Sequence, residues 1–324
     1  MLNVHVPPTL EVFINTYDNF IITGHKEPDG DCIGSMFAMS VFLNRIKGKK
    51  TLLLNAGPFK RPEIKEYEPL TFSAIPDSFP RKNTGCIILD CSNMARTGDV
   101  EPLIRGFPSF IIDHHASNGE TGGNSFVNPS SPSTTLLVYQ VIESLGYKPD
   151  HKEAELLFFG LSTDSGFFRH LDENSALVFF IASKLIECGA NPKQTFLKMN
   201  GGKSPESRKL LSVMLSRVEY YYGGRLAVTW EELEDTRLYG LEGRDSDMLY
   251  QLIQSVRGVK AIIAIRQETE DNCTVGLRSL DEVDVGKIAE SFGGGGHKQA
   301  SGLSIKGTVK ELKPVLIEAF KDSF

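Results

Sequence analysis

The chain has 324 residues, which is long for a single hydrophobic core and predicts two domains. Apolar residues make up 40% of the sequence, but no apolar run approaches the length of a membrane span. The formal net charge of −6 argues against a protein that binds long duplex DNA, because such proteins have strongly basic binding surfaces.

The cysteines and the N-terminus both bear on cellular location. Five cysteines are scattered along the chain without the paired spacing of a zinc ribbon or a disulfide framework. The first residues show no basic segment followed by a long apolar stretch, as a secretory signal would. We therefore expect a cytoplasmic protein with no membrane partner.

The first informative stretch runs from the apolar residues 20–22 through a polar loop into a helix. The loop contains His25, Asp29 and Asp31, and the apolar pattern of residues 32–46 predicts the helix. A strand, a loop and a helix form half of a βαβ unit, and open α/β sheets bind ligands at the carboxyl ends of their strands. Imidazole and carboxylate groups there suit a divalent cation such as Mn²⁺, Mg²⁺ or Zn²⁺.

Three more apolar runs, residues 50–54, 86–90 and 109–113, predict further strands. The second of these ends in Asp90, and the third ends in Asp113 and is followed directly by two histidines. The carboxyl ends of parallel strands lie side by side, so these side chains should gather at one edge of the sheet. This repetition favours a metal site over a set of ordinary polar loops.

Helical patterns follow at residues 134–145, 152–161 and 173–188. Asp164 lies where the second of these helices meets a glycine-containing loop. A carboxylate is unfavourable at the C-terminal end of a helix, because the helix dipole is negative there. A bound cation would offset this cost.

Residues 191–207 predict a linker, and a smaller α/β domain follows it. Its most distinctive segment is residues 293–296, four consecutive glycines that precede His297. Glycine is unfavourable in regular elements, so this run predicts a loop that brings backbone N–H groups close to a phosphate, with a flexible linker as the alternative. The domain's predicted strands are 225–230, 261–265 and 273–277, and its predicted helices are 247–256, 283–291 and 309–320.

Taken together, these residues resemble the DHH phosphoesterase superfamily with its DHH-associated C-terminal domain, over nearly the whole chain. The two-domain arrangement is most similar to the bacterial nanoRNase and pAp phosphatase subgroup. The segments that carry the resemblance are His25-x-x-x-Asp29-x-Asp31, Asp90, Asp113-His114-His115, Asp164, Leu277-Arg278-Ser279 and Gly293–His297.

The resemblance implies an α/β fold in two domains. A catalytic domain would occupy residues 1–190, with helices on both faces of a parallel sheet. A linker would occupy residues 191–207, and a smaller α/β substrate-binding domain residues 208–324.

The resemblance also implies two divalent ions, Mn²⁺ first and Mg²⁺ or Co²⁺ as alternatives, with Asp90 bridging them. His115, Asp113 and Asp90 would be catalytic. Cys32 stands where the subgroup usually has alanine. We expect Cys32 to pack as a small apolar residue and to leave the chemistry unchanged. The implied metal ligands are His25, Asp29, Asp31, Asp90, His114 and Asp164, and the implied substrate ligands are Arg278, Ser279, Gly294, Gly295, Gly296 and His297.

The implied activity is hydrolysis of short oligoribonucleotides and of 3′-phosphoadenosine 5′-phosphate (pAp) to mononucleotides, by two-metal activation of water. A cyclic or linear dinucleotide phosphodiesterase of the same fold is the alternative within the enzyme class. A nucleotide-binding regulator without catalysis is the alternative outside it. The expected partners are short RNA and nucleotides, without long duplex DNA, and the oligomeric state is left open, a homodimer included.

Overall fold

The structure is a computed structural model that describes residues 6–115, 124–280 and 283–324. The chain divides into two compact units, Met1–Gly201 and Gly202–Phe324, each with a hydrophobic core of its own. Among the described residues, no helix is long and apolar enough to cross a membrane.

Unit 1 is built on a parallel sheet of five strands, which confirms the predicted fold class. The spatial order is β2-β1-β3-β4-β5. The fifth strand was not predicted, because three residues are too few to show a strand pattern. The strands are β1 (Asn19–Thr23), β2 (Lys50–Leu54), β3 (Thr84–Leu89), β4 (Ser109–Asp113) and β5 (Ser125–Val127).

Alternating side chains of the strands build a core on each face of this sheet. Phe20 and Ile22 of β1 point into the larger core, whereas Ile21 packs into the smaller one. The helix α3 (Glu101–Ile104) covers the smaller core. The helices that pack on the larger core are α1 (Pro8–Thr16), α2 (Gly30–Lys47), α4 (Thr134–Ser144), α5 (His151–Asp164), α6 (Ala176–Glu187) and α7 (Pro192–Asn200).

The strand order places two polar loops at a topological switch point. β1 pairs with β2 on one side and with β3 on the other, so the chain leaves β1 and β3 in opposite directions along the sheet. Ligand sites of open α/β sheets form where the order reverses in this way. The loops after β1 and β3 carry His25 and Asp90.

Two glycines allow α2 and α5 to pack closely. A Cβ on Gly34 of α2 would lie 2.7 Å from the backbone oxygen of Leu156 in α5. A Cβ on Gly160 of α5 would lie 3.1 Å from the Cα of Asp31. The contact at Gly34 is too short for any other residue, and the contact at Gly160 is tight. Both glycines therefore bear on the spacing between the helix that carries Asp31 and the helix that ends in Asp164.

Unit 2 contains a six-stranded mixed sheet in the order β10-β11-β9-β8-β7-β6. The three predicted strands and three predicted helices are present with shifted ends. β6, β10, β11, α8 and α9 were not predicted. The strands are β6 (Glu219–Tyr221), β7 (Leu226–Glu231), β8 (Ala261–Thr269), β9 (Asn272–Ser279), β10 (Gly295–His297) and β11 (Ala300–Lys306), and the helices are α8 (Pro205–Ser216), α9 (Leu233–Tyr239), α10 (Ser246–Gln254), α11 (Val285–Ser291) and α12 (Val309–Glu318).

The glycine-rich segment is partly a strand, where the sequence predicts a loop. β10 pairs with β11 in an antiparallel hairpin at the edge of the sheet. A Cβ on Gly294 would lie 2.5 Å from the oxygen of Gly302, and Gly296 has a φ of +144°. These two glycines are therefore required by the hairpin itself.

The predicted linker at residues 191–207 contains regular structure. Helix α7 of unit 1 occupies most of it, and α8 of unit 2 begins within it at Pro205. The structure divides between Gly201 and Gly202, within the predicted linker. The predicted domain limits stay predictions.

The close packing of α2 on α5 predicts that Gly34→Ala destabilises unit 1. Alanine would favour the helix by about 0.5–1 kcal/mol, but overpacking against a backbone oxygen outweighs this gain. We expect the free energy of unfolding in urea to fall by about 1–2 kcal/mol.

Gly106→Ala is the matched control, because a Cβ at Gly106 would meet no atom within 4 Å. Its unfolding free energy should stay within about 0.5 kcal/mol of the parent. Equal losses in the two variants would show that the spacing of α2 and α5 is not set at Gly34.

Candidate active site

The loop after β1 brings His25 towards Asp90. The His25 Nδ1 lies 2.8 Å from the carbonyl oxygen of Lys26, which can only accept, so Nδ1 carries the proton. The other nitrogen, Nε2, lies 3.4 Å from Asp90 Oδ2 and 3.8 Å from Asp29 Oδ1. Burial opposes protonation of this ring, but the carboxylates of Asp29 and Asp90 outweigh it and raise the pKa of His25 to about 10.

Asp29 is the N-cap of helix α2. Its Oδ1 accepts hydrogen bonds of 3.1 Å from the backbone N–H groups of Asp31 and Cys32. Burial raises the pKa of this carboxyl, but the neighbouring His25 more than offsets burial and holds the pKa of Asp29 below its usual value. The cap fixes the turn, so that Asp31 follows in the first turn of the helix.

Asp31 is fully buried and anchored on the N-terminus of α4. Its Oδ2 accepts from the Thr134 N–H at 2.6 Å, and its Oδ1 accepts from the N–H and the hydroxyl of Thr135 at 2.9 and 2.6 Å. Burial and the charges of Asp164 and Asp90 nevertheless raise the pKa of Asp31 well above its ordinary value. A cation beside it would favour the ionised form.

Asp90 lies at the centre of the cluster, directly after β3. Its φ of 62° is uncommon for a residue other than glycine, and such strained conformations concentrate at functional sites. The Thr134 hydroxyl donates to Oδ1 at 3.0 Å. The same oxygen lies 3.5 Å from His114 Nε2 and 3.6 Å from His115 Nδ1. Asp90 is thus the carboxylate that lies close to His25, His114 and His115.

His114 connects Asp90 with Asp164. Its Nδ1 lies 3.1 Å from the carbonyl oxygen of Ser131, and its Nε2 lies 3.1 Å from Asp164 Oδ2 and 3.9 Å from Asp31 Oδ2. Burial lowers the pKa of this ring, but the surrounding aspartates raise it to about 10. Burial likewise raises the pKa of Asp164, the last residue of α5, with the charges of Asp29 and Asp90 adding to it.

His115 is held by Asp113 and is the most exposed of the three imidazoles, with 39% of its side chain accessible. Its Nδ1 and its backbone N–H both approach Asp113 Oδ1, at 2.8 and 3.1 Å. Burial raises the pKa of Asp113, but these hydrogen bonds more than compensate and keep the pKa below the usual value. The ionised carboxylate therefore fixes the His115 proton at Nδ1.

The residues at this edge fit divalent cations. The buried Nε2 of His114 has no hydrogen-bond partner among the described residues, although three carboxylates surround it. The carboxylates of Asp29, Asp31, Asp90 and Asp164 crowd together with imidazole nitrogens, a donor set that Mn²⁺ and Mg²⁺ accept. In each of three groups of residues, the donor atoms lie within 4.8 Å of one another. The groups are Asp31, His114 and Asp164; Asp90, His114 and His115; and His25, Cys32 and Asp90.

The structure thus brings together all the side chains that we predicted as metal ligands. The sequence did not indicate that Thr134 and Thr135 hold the aspartates, since 103 and 104 residues separate them from Asp31. Cys32 is buried as expected, but its sulfur lies beside His25 and Asp90.

The predicted substrate residues lie in unit 2. The guanidinium of Arg278 in β9 stacks on the Tyr250 ring, 4.5 Å from its centroid. Ser279 is buried, and its hydroxyl donates to the carbonyl oxygen of Val283 at 2.6 Å, so its observed contact is structural. Gly295, Gly296 and His297 are exposed in β10. Their roles in substrate binding stay predictions.

Comparisons with known proteins agree with the resemblance. The profile described as "DHH family, N-terminal domain" matches residues 19–161, and the "DHHA1 domain" profile matches residues 236–324. The "Bifunctional oligoribonuclease and PAP phosphatase NrnA" of Thermus thermophilus is 30% identical, over 88% of this chain and 84% of the relative. The protein of the same name from Bacillus subtilis is 24% identical, over 90% and 91%.

One solved structure matches throughout and supports the fold alone. It is the crystal structure of an exopolyphosphatase-related protein from Bacteroides fragilis, with a TM-score of 0.84 and 23% identity. The match covers 100% of this chain and 97% of that one.

The anchoring of Asp31 predicts that Thr135→Ala weakens metal binding. Losing the hydroxyl frees Asp31 Oδ1 from its shortest contact, and the removal of such outer partners lowers metal affinity by about 10- to 100-fold. Isothermal titration calorimetry with Mn²⁺ measures this loss.

Thr135→Ser is the control, because it keeps the hydroxyl and removes only the methyl group. Its affinity should stay near the parent value. If Thr135→Ala and Thr135→Ser bind Mn²⁺ alike, the hydroxyl does not orient Asp31 for a metal.

Proposed function

Because the chain belongs to the DHH family, we propose that it is a metal-dependent phosphoesterase acting on short oligoribonucleotides and pAp, which it hydrolyses to mononucleotides. Family membership supports phosphoester hydrolysis, and the names of the Thermus and Bacillus relatives support the class of substrate. The observation that carries the proposal is Asp90, a buried carboxylate within 3.6 Å of nitrogens of His25, His114 and His115.

Under this proposal, Asp90 would help to hold both of two divalent ions. His25 and Asp29 would hold one of them with it, and Asp31, His114 and Asp164 would hold the other. Mn²⁺ is the proposed ion, with Mg²⁺ and Co²⁺ as alternatives. Two such ions lower the pKa of a water molecule and stabilise charge on the attacking and leaving oxygens of an in-line displacement.

The chain's own residues hold and orient these groups. Thr134 and Thr135 fix the aspartates before substrate arrives, so little reorganisation is needed during the reaction. Asp113 accepts a hydrogen bond from His115 Nδ1, which leaves Nε2 as the nitrogen that, with a proton of its own, would donate to the substrate phosphate. His115 therefore contacts the phosphate in this proposal, and Asp113 positions it.

Within the run of glycines at residues 293–296, Gly295 is the one whose identity the hairpin leaves unexplained. A Cβ on Gly295 would meet no atom within 4 Å, whereas its neighbours Gly294 and Gly296 are constrained by the hairpin. The lack of a side chain here supports close approach of the nucleotide to the backbone. We assign the nucleotide's remaining contacts to His297 and to Arg278, which Tyr250 holds in place.

The alternative within the enzyme class differs in substrate, not in the metal centre. A cyclic or linear dinucleotide phosphodiesterase would use the same ligands, and the substrate assay below separates the two. A regulator without catalysis would not need a full set of metal ligands, and all six are gathered in unit 1. The cytoplasmic location stays a prediction.

The proposal predicts that kcat/KM is highest for substrates of about two to four nucleotides and falls steeply beyond about five. The net charge of −6 provides little attraction for additional phosphates, so longer chains add repulsion without new contacts. The assay compares pAp, a length series of single-stranded RNA, a cyclic dinucleotide and pyrophosphate, with Mn²⁺ at physiological salt. A flat or rising profile with length would contradict the short-substrate proposal, and preference for the cyclic dinucleotide would favour the alternative.

In the same assay, Gly295→Ala should raise the KM for pAp by about tenfold, as one methyl group in a close contact does. Its metal affinity and folding should match the parent. Gly243→Ala is the control in the same unit, because its Cβ would make only ordinary contacts of 3.6 Å or more. An unchanged KM in Gly295→Ala would remove Gly295 from the substrate site.

A further inference from the structure

The thiol of Cys32 lies inside the cluster described above. Cys32 follows Asp31 in the first turn of α2 and is fully buried. Its sulfur, a ring nitrogen of His25 and a carboxylate oxygen of Asp90 all lie within 4.8 Å of one another. The thiol is therefore close to two residues that are proposed to hold the same metal ion.

Gly24 makes room for this sulfur. A Cβ on Gly24 would lie 2.2 Å from the Cys32 Sγ, a distance that no side chain tolerates. Met36 Sδ lies 3.9 Å from Cys32 Sγ. The missing side chain at Gly24 thus admits the thiol to its observed place, between the end of β1 and the helix.

We propose that Cys32 is a sulfur ligand that makes the His25–Asp90 side of the centre selective for thiophilic divalent cations such as Zn²⁺, Co²⁺ and Cd²⁺. This inference rests on the metal centre of the proposed function. Thiolate ligands favour soft and borderline cations, whereas Mn²⁺ and Mg²⁺ favour oxygen. As the sulfur–metal bond forms, the S–H bond breaks and its proton leaves to solvent.

The observed distances suit a compact four-coordinate ion. Bonds of about 2.0–2.3 Å to nitrogen, oxygen and sulfur hold neighbouring ligand atoms roughly 3.5 Å apart. The His25 Nε2 and Asp90 Oδ2 are already 3.4 Å apart. The Cys32 sulfur, within 4.8 Å of a ring nitrogen of His25 and a carboxylate oxygen of Asp90, is the third donor atom.

The test is the absorption spectrum of the full-length protein loaded with Co²⁺. A sulfur ligand produces an intense sulfur-to-cobalt charge-transfer band in the near ultraviolet, which nitrogen and oxygen ligands do not. We expect the band in the parent and its loss in Cys32→Ser, which keeps the size of the side chain. Cys86→Ala is the control, because Cys86 is equally buried, on strand β3, but belongs to none of the three donor groups.

A competition titration adds a second readout. The ratio of Cd²⁺ to Mn²⁺ affinity should fall by about tenfold or more in Cys32→Ser and stay unchanged in Cys86→Ala. If Cys32→Ser does not fold, X-ray absorption of the Cd²⁺-loaded parent replaces it. Sulfur among the ligands supports the inference, and nitrogen and oxygen alone overturn it.

The outcomes separate this inference from the proposed function. Co²⁺ binding without the charge-transfer band in the parent, or with the band retained in Cys32→Ser, overturns the role of Cys32 alone. Failure of the parent to bind any divalent ion overturns both the inference and the metal centre on which the proposed function depends.

Discussion

Repulsion among closely spaced carboxylates is the constraint on which the arrangement of unit 1 depends. Asp31, Asp90 and Asp164 approach the same imidazole of His114, and burial removes the solvent that would screen their charges. Burial and this repulsion raise the pKa values of Asp31 and Asp164. Asp31 and Asp90 are therefore tied to donors that the fold supplies, whereas Asp164 lies beside the His114 ring. The cluster remains one that a cation stabilises.

The donors to Asp31 and Asp90 come from helix α4, which is distant from both residues in the sequence. The N-terminus of α4 provides backbone N–H groups and a partly positive dipole end for Asp31. Asp29 uses the N-terminus of α2 in the same way. The close packing at Gly34 and Gly160 then holds α2 beside α5, so the geometry of the cluster follows directly from how these helices pack.

Much of this site could be predicted because strand ends in a parallel sheet converge. His25 and Asp90 follow strands, and Asp113 ends one. The apolar residues of these strands, at 20–22, 86–89 and 110–112, were enough to recognise them. The chemistry of His and Asp then indicated a metal. The parallel arrangement of the strands followed from the rule that ligands of open α/β sheets bind at the carboxyl ends of the strands.

The parts that were not predicted depend on contacts between distant residues or on very short elements. The role of Thr135 is invisible locally, since it exists only when α4 meets α2. The position of the Cys32 sulfur likewise depends on Gly24 across a turn. Strands of three residues, such as β5 and β10, show no periodic pattern, and two of the glycines that suggested a loop, Gly294 and Gly296, are required by the hairpin.

Electron paramagnetic resonance of the protein loaded with two equivalents of Mn²⁺ tests most directly whether Asp90 is shared between two ions. Two ions bridged by Asp90 are exchange-coupled, so their spectrum differs from that of isolated Mn²⁺ and changes with temperature as coupled spin states fill. The proposed centre predicts this coupled spectrum. A spectrum of two isolated Mn²⁺ ions, or of one ion at saturation, would contradict it.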